Sequence, residues 1–236
     1  MHRFYLPNLH PLVLSGEEAH HCRHVLRLKA GAALTVFDGR GHEAQCTIAT
    51  VSQSEVRLTA LQRSSTPPLP VRLTLAQAIP KKNMDWIIQK ATELGVAAIQ
   101  PLLSERTVVK VEDEDAGKLD RWRAIALEAC KQCGNNWLPE IHSPRKARDF
   151  LAATGGFDLK LIGSLQPDSR RLKPIISDAG APRAVLILIG PEGDFTPAEL
   201  ALARSAGCQP LSLGPLVLRA DTAAFYALSI LHHELQ

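Results

Sequence analysis

Two segments near the end of the chain carry the residues best suited to chemistry. The first is Ile189-Gly190-Pro191-Glu192-Gly193-Asp194-Phe195. It follows the apolar run Ala184–Ile189 and precedes Thr196-Pro197-Ala198-Glu199, a helix start with Thr as N-cap, Pro as first helical residue and Glu closing a capping box. Glycine lets backbone approach a ligand and leaves N–H groups open to bind it. The second is Leu213-Gly214-Pro215-Leu216-Val217-Leu218-Arg219-Ala220-Asp221-Thr222-Ala223. Loops are usually polar, so an apolar loop running into Arg-Ala-Asp-Thr suits a pocket wall. Each also has a plainer reading. The first can be a tight strand-to-helix turn; in the second, Asp221 or Thr222 can cap a helix while Arg219 is solvated. The first segment is not G-x-G-x-x-G, so a dinucleotide site is not indicated.

Other clusters offer less. Cys130-Lys131-Gln132-Cys133 is a lone C-x-x-C late in a helix, whereas a redox pair wants the helix start, where a thiolate is stabilised. The five cysteines read as free thiols of a reducing cytoplasm. His20-His21-Cys22-Arg23-His24 has no second ligand cluster with zinc spacing, so other roles, packing among them, are favoured over a metal.

These residues need elements to hold them. Ser64-Ser65-Thr66-Pro67-Pro68-Leu69-Pro70 resists both helix and central strand and marks a break. The division is residues 1–66 as a small β-rich domain, 67–73 as linker and 74–236 as a larger domain. In the first, a helix is expected over Gly16–Leu26 and strands over Leu34–Phe37, Ala44–Val51 and Glu55–Leu61, with Asp38-Gly39-Arg40-Gly41 as a hairpin turn. After the linker, strands and helices alternate. Val71–Gln77, Val96–Leu103, Asp158–Ile162, Ala184–Ile189 and Pro210–Leu213 read as strands. Helical spacing recurs from Met84 to Leu94, from Trp122 to Cys133 and from Asp221 to Glu234. Alternation of this kind predicts an α/β fold with a parallel sheet covered on both faces and ligands at the carboxyl ends of its strands.

Composition sets limits. The 236 residues are 45% hydrophobic and 22% charged, with a formal net charge of +3, which excludes disorder as the main state. No run of 18 apolar residues predicts a membrane span, and Met1–Pro11 lacks the apolar core of a signal peptide, so a cytoplasmic location is expected. The small charge surplus requires any nucleic-acid surface to be local.

Together the two segments resemble the C-terminal signature of the RsmE family, RNA methyltransferases of the SPOUT class. Arg3-Phe4-Tyr5, His20 with His24-Val25-Leu26-Arg27, Asp38-Gly39, Gln89-Lys90-Ala91-Thr92-Glu93-Leu94-Gly95-Val96, Ser104-Glu105-Arg106-Thr107 and Gln132-Cys133-Gly134-Asn135 add to the resemblance, in order along nearly the whole chain. It implies a PUA-like N-terminal β-barrel that helps hold RNA, and a SPOUT-type parallel sheet whose end threads a trefoil knot, an exception to the rule against knots. It also implies S-adenosylmethionine as cofactor, a homodimer, no metal, and methylation of uracil N3 at one uridine of 16S rRNA (the family's uridine 1498) within the 30S subunit.

In this chain the cofactor falls to Ile189, Gly190, Pro191, Glu192, Gly193, Leu213, Gly214, Leu216, Leu218, Thr222 and Ala223. Arg219 is the candidate stabiliser of charge on the uracil carbonyls. Asp221 is a base or an orienter of Arg219, and Glu192 is the alternative carboxylate. Arg3, Arg23, Arg27, Lys29, Arg40, Lys81, Lys82 and Arg106 are the candidate RNA contacts. Three positions depart from the family pattern: Asp194 where a glycine is usual, Asp221 where glutamate is usual, and Asn135 where arginine is common. Rival readings are a methyltransferase of the same class acting at another RNA site, a non-catalytic RNA-binding module, and a nucleotide-dependent oxidoreductase. The last lacks a glycine in Ala78-Ile79-Pro80-Lys81-Lys82, after its would-be first strand.

Overall fold

The computed structural model describes residues 2–107 and 116–236. By contacts the chain divides into two units, Met1–Pro68 with Leu127–Leu138, and Leu69–Ala126 with Pro139–Gln236.

The first unit contains β1 (His2–Tyr5), β2 (Val13–Ser15), α1 (Gly16–His20), β3 (Ala33–Phe37), β4 (His42–Val51) and β5 (Glu55–Ser65). Its sheet runs β1-β3-β4-β5-β2. The expected Gly16–Leu26 helix is two pieces: α1 passes into a π-helical turn at His21–Val25. Alternate residues of β4 and β5 (Ala44, Cys46 and Ile48; Val56 and Leu58) face a core with Phe4, Leu14, Leu34 and Val36. The β3–β4 turn is held by Asp38, whose Oδ1 accepts from the N–H groups of Arg40 (2.7 Å) and His42 (3.0 Å). Burial pushes the Asp38 carboxyl up, but these N–H groups and the His42 ring outweigh it and hold it below the usual carboxylate range.

Leu127–Leu138 follows from the larger part of the chain yet completes this first unit. Gly41 N donates to Asn136 O at 2.9 Å, Leu138 N to Gly39 O at 2.9 Å, and Trp137 Nε1 to Thr66 O at 2.9 Å. A Cβ on Gly41 would lie 2.6 Å from the Trp137 ring, so the glycine is required by close approach as well as by its φ of +95°.

The second unit contains β6 (Arg72–Ala78), α2 (Met84–Glu93), β7 (Ala98–Leu103), the first part of α3 (Ala116–Cys133), β8 (Glu140–Ile141), β9 (Arg145–Lys146), α4 (Ala147–Leu151), β10 (Leu159–Gly163), α5 (Leu172–Ala179), β11 (Ala184–Ile189), α6 (Pro197–Ser205), β12 (Gln209–Leu211) and α7 (Ala220–Leu235). The sheet order is β12-β10-β11-β6-β7-β8, with β9 also on β7, and every pairing is parallel. Val185 to Ile189 are buried without interruption, as a strand covered on both faces demands. On one face Ala76, Ala78, Leu186 and Leu188 meet Phe150 and Leu151 of α4 and Leu200 and Ala203 of α6. On the other, α7 packs on β6, β11 and α2. The capping box at Thr196 and Glu199 forms as expected. α5 has no counterpart in the expected elements: Pro174 sits in its first turn, where it is tolerated, but in sequence it reads as a break.

All five cysteines are free, and Cys133 alone is exposed. Burial pushes the Cys130 thiol up to about 12 and the Cys208 thiol to about 11. Their folded values lie above the ordinary 9.0, so the stability they contribute is complete below pH 9 and is lost as pH rises toward the folded values. Thiol titration at pH 8 is expected to modify Cys133 rapidly and the other four only on unfolding.

Candidate active site

The carboxyl ends of three neighbouring strands, β10, β11 and β12, release loops that converge with the first turn of α7 to line one cavity. β10 contributes Gly163, Ser164 and Leu165; β11 contributes Ile189, Gly190, Pro191, Glu192 and Asp194. Leu213, Gly214, Leu216, Val217 and Leu218 come from the loop after β12, and Ala220 and Ala223 from α7. Among the cofactor residues expected from sequence, Gly193 and Thr222 are not brought into this lining. Gly193 turns its carbonyl to Arg106, whose guanidinium donates at 2.5 Å. Thr222 donates its N–H to Asp221 Oδ1 at 2.7 Å. Sequence reasoning missed Gly163 to Leu165, although β10 itself was expected; extending the carboxyl-end rule to that strand would have found them.

The β11–α6 loop is a tight turn in which Asp194 N donates to Pro191 O at 2.9 Å. Asp194 adopts a φ of +61°, which explains why glycine is usual there. Aspartate is among the few residues that tolerate this region, and its Oδ1 accepts from Phe195 N at 2.7 Å. A Cβ on Gly190 would stand 3.2 Å from Asp194 Oδ1 and 3.3 Å from the Phe195 ring, so the turn closes tightly around it. In the second loop Gly214 has a φ of +109°, and a Cβ there meets nothing within 4 Å. The main-chain N–H groups of Leu216 and Leu218 have no hydrogen-bond partner among the described residues. Leu216 and Val217 are 73% and 78% exposed.

The candidate catalytic groups are held differently from one another. Arg219 is the N-cap residue of α7; its carbonyl accepts from Ala223 N at 2.8 Å, while its exposed side chain has no hydrogen bond or ion pair among the described residues. Asp221 does not orient it. Asp221 Oδ2 accepts instead from Asn83 Nδ2 at 3.0 Å, and Oδ1 from Thr222 N. Asn83 was not anticipated from sequence; it holds a φ of +71° at the N-cap of α2. Glu192 Oε1 accepts from Lys81 N at 3.0 Å, and its Oε2 has no partner among the described residues.

Glu199 does more than close its capping box. It is 4% exposed, and while Oε2 accepts from Thr196 N, Oε1 accepts from Glu105 N at 2.9 Å. Ser104 N in turn donates to Thr107 Oγ1 at 3.0 Å. The Ser104–Thr107 segment is thereby fixed by α6, and its Arg106 by Gly193.

The expected RNA contacts are scattered. Arg3 is turned inward, donating to Glu43 Oε2 at 2.9 Å and Asn136 Oδ1 at 2.5 Å with 15% of its side chain exposed, so it serves the first unit's interior more than a surface. Arg23 donates to Gln53 O and Arg40 to Pro7 O. Arg27, with a φ of +53°, and Lys29 are exposed. Lys81 and Lys82 lie together on the β6–α2 loop, exposed. Asn135 closes a local turn, its Oδ1 accepting from Trp137 N at 2.9 Å. No group of three or more His, Cys, Asp or Glu among the described residues is placed to hold a metal.

Comparison with known proteins adds a second line. Residues 67–232 match the family described as RNA methyltransferase domain, and residues 14–61 match the RNA methyltransferase PUA domain. The chain is 32% identical to ribosomal RNA small subunit methyltransferase E of Bacillus subtilis, over 94% of this chain and 89% of that protein. A Legionella pneumophila chain solved with the cofactor SAM bound is 38% identical, with a TM-score of 0.89 over 98% of this chain and 97% of that one. Ribosomal RNA small subunit methyltransferase E from Neisseria gonorrhoeae, bound to S-adenosyl methionine, is 33% identical, with a TM-score of 0.88 over 99% and 98%.

Proposed function

Because the chain belongs to the ribosomal RNA small subunit methyltransferase E family and is an rRNA methyltransferase using S-adenosylmethionine, we propose that it methylates N3 of one uridine of 16S rRNA in the small subunit, the family's uridine 1498. The observation that carries the reading is the convergence of three strand-end loops on one cavity, with main-chain donors at Leu216 and Leu218 that have no partner among the described residues. Apolar Ile189, Leu213 and Leu218 suit the faces of a purine, and open main-chain groups suit its polar edges. The bound cofactor supplies a methyl group on a sulfonium, to be displaced in line by the uracil nitrogen.

Uracil N3 carries a proton and is a poor nucleophile while neutral. As the nitrogen forms its bond to the methyl group, the proton must leave. Glu192 lines the cavity and has a free Oε2, so it is the acceptor this geometry favours, with Asp221 anchored by Asn83 and Thr222. Arg219, whose side chain has no partner among the described residues, donates to the uracil carbonyl on which negative charge grows.

Further parts of the reading rest on separate support. A trefoil knot is supported by the path after β12: the chain leaves the sheet edge beside β10, and α7 returns to pack on β11 and β6. A homodimer is supported by the exposed apolar residues Leu216, Val217, Trp86 and Tyr226 of the second unit. An RNA-holding role of the first unit, within the boundaries 1–66, 67–73 and 74–236, is supported by the match at residues 14–61 and by exposed Arg27, Lys29 and Arg40.

The test is methyl transfer from labelled S-adenosylmethionine to small subunits lacking the modification. Label in 16S rRNA with a reverse-transcription stop at a single uridine is expected, because N3 methylation blocks pairing. A stop at another base, or label without a stop, would refute N3 of uridine as the acceptor.

A further inference from the structure

A cavity of about 450 Å³ opens at the far end of the parallel sheet from the cofactor cavity and shares no residue with it. Arg72, Ala98, Glu140 and Ala184 line it, and these are the first residues of β6, β7, β8 and β11. Its volume lies within the range of about 300–1,000 Å³ typical of ligand sites. Helix cover on this face of the sheet runs out here. Ala76, Leu102 and Leu186 pack under α4 and α6, but two residues earlier on the same strands Thr74, Gln100 and Ala184 line open space. α4 ends at Leu151, and the chain beyond it supplies only Ala153, Gly156 and Phe157 to the wall.

The floor is polar where a covered sheet would be apolar. Thr74 is 7% exposed and Gln100 3%. Gln100 Nε2 donates to Pro101 O and to Ser143 O, each at 2.8 Å, which fixes the amide and leaves Oε1 as an acceptor. Neither that oxygen nor Thr74 Oγ1 has a hydrogen-bond partner among the described residues. Buried polar atoms are ordinarily paired, so two at the base of one cavity call for a polar partner lying in it. Arg72 and Arg145 are exposed at the rim. The Arg72 side chain has no partner among the described residues, and Arg145 donates only to Asp149 O at 3.3 Å. The one carboxylate among the lining residues, Glu140, stands 3.4 Å from His142 Nδ1. Neighbouring carboxylates are engaged elsewhere, Asp149 with Arg148 and Asp158 with the N–H groups of Arg183 and Ala184.

None of the exposed apolar residues assigned to the homodimer lines this cavity. The chain on either side of residues 108–115 lies at the other end of the strands: Ser104–Thr107 follows the carboxyl end of β7, and Lys118 lies against Lys81–Asp85 beyond that of β6. Two guanidiniums suit a phosphate, whose oxygens their planar forks match. Phe157, half-buried in the wall, adds aromatic surface for a base. We propose that the cavity binds a ribonucleoside carrying a 5′-phosphate, free or within an RNA strand. Arg72 and Arg145 meet its phosphate, and Gln100 Oε1, beside Thr74, receives an N–H of its base. The site lies at the opposite end of the strands from the methyl donor and stands independently of which base the chain methylates.

The test is calorimetry on the full chain saturated with S-adenosylhomocysteine, which keeps nucleotides out of the cofactor cavity. AMP, GMP, CMP and UMP are titrated in turn, with inorganic phosphate and the parent nucleosides as controls. At least one mononucleotide is expected to bind about tenfold more tightly than phosphate or its own nucleoside. Arg72→Ala, at an exposed position, is expected to weaken that binding about tenfold. Thr74→Val keeps the shape and removes the hydroxyl, and is expected to weaken it about 2- to 10-fold. Its urea midpoint should not fall, because no existing hydrogen bond is lost, and affinity for S-adenosylhomocysteine stays unchanged in both variants. Competition by an oligoribonucleotide of about eight residues with hydroxyls at both ends separates the two sources. Displacement assigns the site to a nucleotide within an RNA strand, and mononucleotide binding without displacement assigns it to a free nucleotide. Absence of mononucleotide binding, equal affinity in wild type and both variants, or phosphate binding as tight as that of every nucleotide would overturn the proposal.

Discussion

Replacing Arg219 with alanine is expected to lower methyl-transfer turnover by about 10²- to 10³-fold, the range seen when one donor to a developing oxyanion is removed. Cofactor affinity, read by calorimetry, is expected to stay within about twofold. The split follows from the geometry. Arg219 is the N-cap residue of α7, but its side chain makes no cap hydrogen bond and supports nothing else among the described residues. Its loss therefore costs little stability. It is also outside the lining of the cofactor cavity, whose walls at Leu218 and Ala220 flank it in sequence. A guanidinium without a side-chain partner among the described residues, next in sequence to two lining residues, is available to a substrate. Arg219→Lys keeps the charge but loses the planar fork, so its turnover should fall between wild type and alanine. Turnover within twofold of wild type for Arg219→Ala would remove this residue from the reaction.

The second large effect is on stability. Glu199→Ala is expected to destabilise the chain by about 3 kcal/mol, seen as a lower urea midpoint with an unchanged slope. Its carboxylate is nearly inaccessible and accepts from two main-chain donors on different segments, Thr196 N and Glu105 N. Truncation leaves both donors without their partner and opens a void beside Leu200 and Ala203 of the core. Glu199→Gln keeps one acceptor and turns an amide group toward a donor, so an intermediate loss is expected. Arg106 follows Glu105 and holds the Gly193 carbonyl, so the same substitution loosens the cofactor loop. An ordinary cap replacement on an exposed helix costs about 1 kcal/mol and would not reach the loop.

The two loops that line the cavity were legible because their chemistry is local. Gly190 and Gly214 announce backbone that must turn sharply or approach closely, and the alternation of strand and helix around them places both at the same end of a sheet. Short elements such as β8, β9 and α4 carry too few residues for a period to show. Pairings across long stretches of chain were also hidden. Arg3 read as a candidate RNA contact, since nothing in its neighbourhood reveals Asn136, 133 positions away. Asn83 drew no attention in the sequence, because its partner Asp221 lies 138 positions on. Adjacency in sequence suggested Arg219 as the partner of Asp221, whereas its carboxylate is taken up by Asn83 and Thr222.

The return of Leu127–Leu138 to the first unit bears on biosynthesis. A nascent chain that has emerged only to Pro68 has no Asn136 to receive Arg3 and Gly41, and no Trp137 to cover Thr66. The amino-terminal unit is therefore incomplete until Leu138 has emerged, by which time β6, α2 and β7 have also left the ribosome. The usual order, in which an amino-terminal domain finishes before its successor begins, does not apply. A gene fragment cut at the proline-rich break would encode a sheet lacking part of its own wall.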